Sequence, residues 1–118
     1  LHSNKFRQAL DAFNNQNFFQ AHELWEEIWQ DLRITKQNLQ QQTQIQVLIQ
    51  IAVSLHLLKE KRLKGAKKVL VRARNNLKNI NYEIENIDLQ NLLAEIESFF
   101  AKSDQADIEK ALNVKINI

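Results

Sequence analysis

Residues Phe13 to Trp29 read FNNQNFFQAHELWEEIW, and within them one helix stops and another starts with no proline or glycine to mark the place. After the break, Phe18, Ala21, Trp25, Ile28 and Leu32 recur at steps of three and four, the spacing that puts one apolar stripe on a helix. Before it, Phe6, Leu10 and Phe13 give the same signal for a helix from about Ser3 to Asn14, ended by the Asn14, Asn15 pair. Asn17, with Gln20 three residues later, reads as the N-cap of the second helix. A corner this short forces its two helices to lie antiparallel, so the predicted unit is a helical hairpin.

Working outward, the periodicity predicts a third helix from about Lys36 to Glu60, with Ile45, Leu48, Ile49, Ala52, Leu55 and His56 inward. A fourth follows another very short corner and runs from about Leu63 to Asn79, burying Ala66, Val69, Leu70, Ala73 and Leu77. After an Asn-rich connection, Asp88 caps a fifth helix with Leu89, Leu92, Leu93, Ile96, Phe99 and Phe100 on one stripe. The tail holds one weak helix near Asp104 to Leu112. With no Pro and one Gly, Gly65, the chain lacks the punctuation of β-hairpins, so no strand pair is expected between Ser3 and Lys102. The predicted fold class is all-α: an irregular bundle of about five helices, built from two helical hairpins plus a closing C-terminal helix, in a single domain over residues 1–118.

An internal echo agrees with the two hairpins. Ala9 and Phe13 lie 43 residues before Ala52 and His56, and Phe18, Ala21 and Trp25 lie 45 before Leu63, Ala66 and Leu70. Such a pattern is similar to tetratricopeptide-type hairpins, although their period is roughly 34. Two packed helical hairpins need small and large residues in this order in any case.

Composition removes several classes of function. There is no Cys, hence no disulfide, thiolate metal site or Cys nucleophile. The most apolar run, Val47 to Leu58, is broken by Gln50, Ser54 and His56 and is well short of the ~20 residues of a membrane span. No secretory signal is read, and a cytoplasmic protein is the expectation; the chain opens at Leu1 without Met, which leaves its native start open. No Gly-rich phosphate loop exists, and Ser54 sits in no nucleophile elbow.

The residues with chemistry to offer are His22, Glu26, His56 and Glu60. His22 and Glu26 are one helical turn apart and point the same way, the spacing at which a helix offers two ligands to one metal. His56 is the candidate third ligand, and Glu60 one turn beyond it makes a second pair. Two imidazoles and two carboxylates suit zinc, iron or manganese, and an open coordination position would activate water, as in a metal-dependent hydrolase. The pattern is not the His-Glu-x-x-His zinc motif, because position 26 is Glu, nor the Glu-x-x-His pair of di-iron bundles, because positions 19 and 53 are Phe and Val. The plain alternative is that His22, Glu26 and His56 satisfy one another at the edge of an aromatic core. Trp25, Trp29, Phe18 and Phe19 offer a ligand-stacking surface, although aromatics at helical spacing are more often core; Trp25 and Phe18 read as core, Trp29 stays open between core and groove, and Trp29 and Glu60 are the candidate ligand contacts. His2 reads as solvated.

These residues resemble the bacterial and archaeal family known as domain of unknown function 309, marked by His, three residues, Glu, two residues and then Trp or Tyr. Here the match is His22, Glu26 and Trp29, preceded by Phe13, Phe18, Phe19 and Ala21. It continues through Leu48, Ile49, Gln50, Ala52 and His56, then Gly65, Ala66, Leu70 and Leu77, and so covers about residues 6 to 78. Two places depart from the pattern: Val47 or Gln46 replaces a Gly before the Leu-Ile-Gln run, and Glu60 and Lys61 replace a Gly-Asn corner. The resemblance implies a small helical bundle with no established activity, with the His and Glu as suggested metal ligands.

Charge is unevenly spread behind a formal net charge of +2. Nine of the sixteen basic residues fall between Lys59 and Lys78, with Glu60 the only acid among them, while eight of the fourteen acids lie from Glu83 onward. A basic helix of this kind binds phosphates or an acidic partner, or is simply a solvated face partly paired with the acidic fifth helix. Any nucleic-acid binding is expected to be weak and sequence-independent, carried by Lys64, Lys67, Lys68, Arg72 and Arg74. Two functions therefore stand side by side: a site for a divalent metal or small ligand, and a non-catalytic helical interaction module.

Overall fold

Backbone geometry, without glycine, turns this chain at each helix end. The computed structural model describes residues 3–101 and 104–117; His2 lies outside them. Its order is α1 (Ser3–Asn14), α2 (Phe18–Ile34), α3 (Leu39–Lys59), α4 (Leu63–Leu77), β1 (Glu83–Ile84), β2 (Ile87–Asp88), α5 (Leu89–Phe100) and α6 (Gln105–Leu112).

The first corner closes with Asn17 N–H donating to Ala12 O at 2.8 Å and Gln16 N–H to Phe13 O at 3.0 Å. The corner after α3 repeats it 45 residues later, with Arg62 N–H donating to Leu57 O at 2.9 Å and Lys61 N–H to Leu58 O at 2.9 Å. Both are Schellman-type ends, which need one residue in the left-handed region. Gln16 (φ 62°) and Lys61 (φ 64°) supply it, as Lys36 (φ 53°) does after α2. The expected capping box at Asn17 is not formed, since its side chain caps nothing; the backbone bonds and Ala21 N–H to Asn17 O at 3.0 Å hold the entry instead. Asn38, Asp88 and Asp104 do cap by side chain, accepting from the N–H groups of Gln41, Asn91 and Asp107.

α3 is the central helix, packed against α2, α4, α5 and α6. Its buried residues, among them Ile45, Val47, Leu48, Ile51, Ala52, Leu55 and Leu58, go most of the way round, as they must when neighbours stand on several sides. Ser54 is buried and donates to Ala66 O at 2.8 Å, a tie from α3 to α4 that satisfies its hydroxyl. Gln44 is buried too, and its side-chain amide donates to Asn81 O at 2.8 Å and Glu83 O at 3.0 Å. Ile49, Val69 and Phe99, expected inward, are only partly buried.

Two expectations are corrected. A strand pair does exist: Glu83 faces Asp88 and Ile84 faces Ile87 in a minimal antiparallel ladder. Its two-residue turn has both central residues at positive φ, Glu85 at 49° and Asn86 at 66°, the condition that usually recruits glycine; burial of Ile84 and Ile87 holds it there. Among the described residues the helices number six: α6 buries Ala111, and the tail beyond it buries Val114 and Ile116. That tail returns to α1, where the Asn14 side chain accepts from Ile116 N–H at 2.8 Å and donates to Ile116 O at 2.9 Å. The all-α bundle of two hairpins closed by C-terminal helices stands. No helix among the described residues is long and apolar enough to cross a membrane.

Candidate functional site

On α2 the residues one position past the buried stripe form a second line: Phe19, His22, Glu26, Trp29 and Arg33. Helical geometry puts each of the first three about one turn from the next. His22 Nε2 lies 2.9 Å from Glu26 Oε2, and its Nδ1 lies 3.3 Å from Phe19 O. α3 carries the same pattern 34 residues later as Val53, His56 and Glu60, with His56 Nε2 at 3.6 Å from Glu60 Oε1. Glu60 is also 4.0 Å from Arg62 Nη1, so its charge is shared.

The lines meet because α2 and α3 pack together with the start of one beside the end of the other. Phe19 is the meeting point: its ring centroid is 5.4 Å from that of His22 and 5.5 Å from that of His56, both tilted by about 50°. Phe19, His22, Val53 and His56 line a small cleft of about 200 Å³, and each of its imidazoles is paired with the carboxylate one turn on, Glu26 or Glu60. Phe19 remains 53% exposed, although it stands next to a core that takes in Phe18.

Positions 19 and 53 are where a di-iron bundle would carry its glutamates, and here they make the cleft floor apolar. Among the described residues no group of three His, Asp or Glu is placed to hold a metal ion. Donors come as two pairs. Trp29 is partly buried, with the Arg33 guanidinium 4.8 Å above its ring, and it does not line the cleft. Of the four aromatics that the sequence offered for a ligand-stacking surface, Phe18, Phe19, Trp25 and Trp29, it is Phe19 that lines the cleft; Val53 is the lining residue that sequence reasoning did not name for the site, and its signal was its place three before His56. A wider hollow of about 660 Å³ between α5 and Lys115–Asn117 contains no His and no aromatic residue.

The basic stretch is also resolved. Arg74 turns inward to α5, where Nε donates to Glu97 Oε2 at 3.1 Å and its other nitrogens reach Glu97 Oε1 and Gln90 Oε1. Hydrogen bonding to Glu97 holds its pKa above the ordinary arginine value. Lys64, Lys67, Lys68 and Arg72 are exposed.

Fold and site together define a helical bundle of two hairpins whose inter-hairpin seam carries a shallow aromatic and imidazole cleft. Residues 6–69 match the family described as Domain of unknown function (DUF309). That is more than half of the chain, and the chain belongs to this family. The match takes in α1 to α3 and both His–Glu pairs, and ends inside α4. No curated protein and no solved structure matches the chain.

Proposed function

We propose that this chain is a binding domain whose Phe19 cleft takes a small ligand with a compact apolar body and one polar end. The observation that carries this reading is Phe19 itself: a large apolar ring left half-exposed between two imidazoles in a concave site. Burial of such a ring is worth roughly 1.5 to 3 kcal/mol, and a ligand that covers it recovers part of that. Ligand sites combine an apolar floor with a few convergent polar groups, and here the lining imidazoles of His22 and His56 are those groups. A volume of about 200 Å³ suits a single ring, since a cavity of roughly 150 Å³ holds benzene.

The test is protein-observed NMR with benzyl alcohol, benzylamine and benzoate as probes. Resonances of Phe19, His22, Val53 and His56 are expected to shift with at least one probe and to stop responding in Phe19→Ala. Shifts confined to other surfaces, or none, would remove the reading.

A divalent ion is the second reading, favoured by one distance. The 2.9 Å between His22 Nε2 and Glu26 Oε2 suits two metal bonds of about 2.0–2.2 Å meeting near a right angle. Such an ion needs a third donor, for which His56 would have to move around Phe19. Zinc titration of the metal-free protein separates the two: tight uptake lost equally in His22→Ala, Glu26→Ala and His56→Ala would favour the ion, and uptake indifferent to His56 would exclude it.

A further inference from the structure

The outer face of α4 carries several exposed cations close together on one helix. On a helix advancing 100° per residue, Lys64 and Lys68 lie directly opposite the buried line of Ala66, Leu70, Ala73 and Leu77, with Lys67 and Arg72 on the two flanks. Lys61 and Arg62, both exposed, stand in the corner just before α4. Among the described residues no ion pair reaches Lys64, Lys67, Lys68 or Arg72, and the one acid of this stretch, Glu60, is already engaged by His56 and Arg62. α5 does supply a carboxylate, but Glu97 goes to Arg74 at the inner edge. Like charges one turn apart, such as Lys64 with Lys68 and Lys68 with Arg72, weaken a helix. The fold therefore carries a row of mutually repelling cations without internal neutralisation.

We infer that this face is a track for the phosphate backbone of a nucleic-acid duplex, bound without regard to sequence. Three features choose this occupant. Lysine is depleted at protein–protein interfaces, which centre on aromatic or apolar anchors, and the only apolar residue on this convex face is Val71, 59% exposed. Single-stranded nucleic acid is held by stacking bases on aromatic side chains, and α4 has none. The cations instead advance about 6 Å per four residues along a straight row, as repeated phosphate contacts require. Arg74, held by Glu97 and Gln90, takes no part.

The experiment is fluorescence anisotropy with a 20-base-pair DNA duplex, using the full chain at 50 mM and 200 mM salt. Four phosphate contacts predict a slope of log affinity on log salt near −3.6, or about a 150-fold loss between those salts. Lys64→Gln with Lys68→Gln is expected to lower affinity at least tenfold at 50 mM salt and to flatten the slope by about two. Lys36→Gln with Lys110→Gln removes the same charge from exposed positions elsewhere and is expected to change affinity less than threefold; circular dichroism checks that both variants are folded. Equal loss in the two double variants would reduce the effect to net charge and overturn the proposal, as would no binding at 50 mM salt. Tighter binding of the single strand, or equal binding of poly-glutamate at matched charge, would overturn the choice of a duplex.

Discussion

Two stripes run side by side on α2, one residue apart. Phe18, Ala21, Trp25, Ile28 and Leu32 are all buried. Phe18 meets Phe13 edge-on at 5.2 Å, and Trp25 packs against Phe6 at 6.3 Å and Phe13 at 6.0 Å. Phe19, His22, Glu26, Trp29 and Arg33, each the next residue along, make contacts of another kind: ring against imidazole, imidazole against carboxylate, guanidinium over indole. A rotation of about 100° separates core from candidate site. The first stripe faces α1 and α3 together, and the second faces only the open edge of the α2–α3 seam. Adjacent phenylalanines thus stand in different surroundings, one buried in the core and the other half-exposed in the cleft proposed as a ligand site.

The largest expected effect sharpens this contrast. Phe18→Ala should cost about 3–5 kcal/mol, as for a fully buried aromatic. Phe19→Ala should cost less than about 1 kcal/mol, as for a surface change, yet abolish binding of the benzyl probes. Urea unfolding of the two variants measures the difference, and similar losses would mean that Phe19 is core and the stripes are one.

A smaller effect concerns the corners that bring the stripes together. Lys61 holds the left-handed position at φ 64°, which costs a non-glycine residue roughly 1 kcal/mol. Lys61→Gly should therefore raise stability by up to about 1 kcal/mol, read as a higher unfolding midpoint. A loss would show that the Lys61 side chain contributes more than its backbone costs.

The smallest effect compares the two His–Glu pairs. Both place His before Glu, the weaker order for a helical ion pair, and both are partly exposed. His22→Gln should cost about 0.2–0.5 kcal/mol. His56→Gln should cost less, because its pair is longer and Glu60 retains Arg62. The reverse order in denaturation would break the reading that 2.9 Å and 3.6 Å reflect different strengths.

Much of this was legible before any coordinates. The phase of each helix, the two hairpins and the cap at Asp88 follow from side-chain period and local hydrogen bonding, which act within a few residues and are written in the sequence. The strand pair was missed because its signal is usually glycine, and Glu85 and Asn86 adopt the same backbone only because Ile84 and Ile87 are buried by the surrounding fold. The buried arc of α3 was underestimated for a related reason: period tells which side chains share a face, not how many neighbours that helix will have. His22, Glu26 and His56 were singled out by residue type and spacing, but Phe19 and Val53 gained meaning only when α2 and α3 came together. In the same way, Arg74 reads as one more cation in a basic run until α5 brings Glu97 to it. Sequence by itself determined where each side chain points relative to its own helix; only the packing of helices decided what stands opposite it, because exposure and pairing belong to two surfaces and the chain writes one surface at a time.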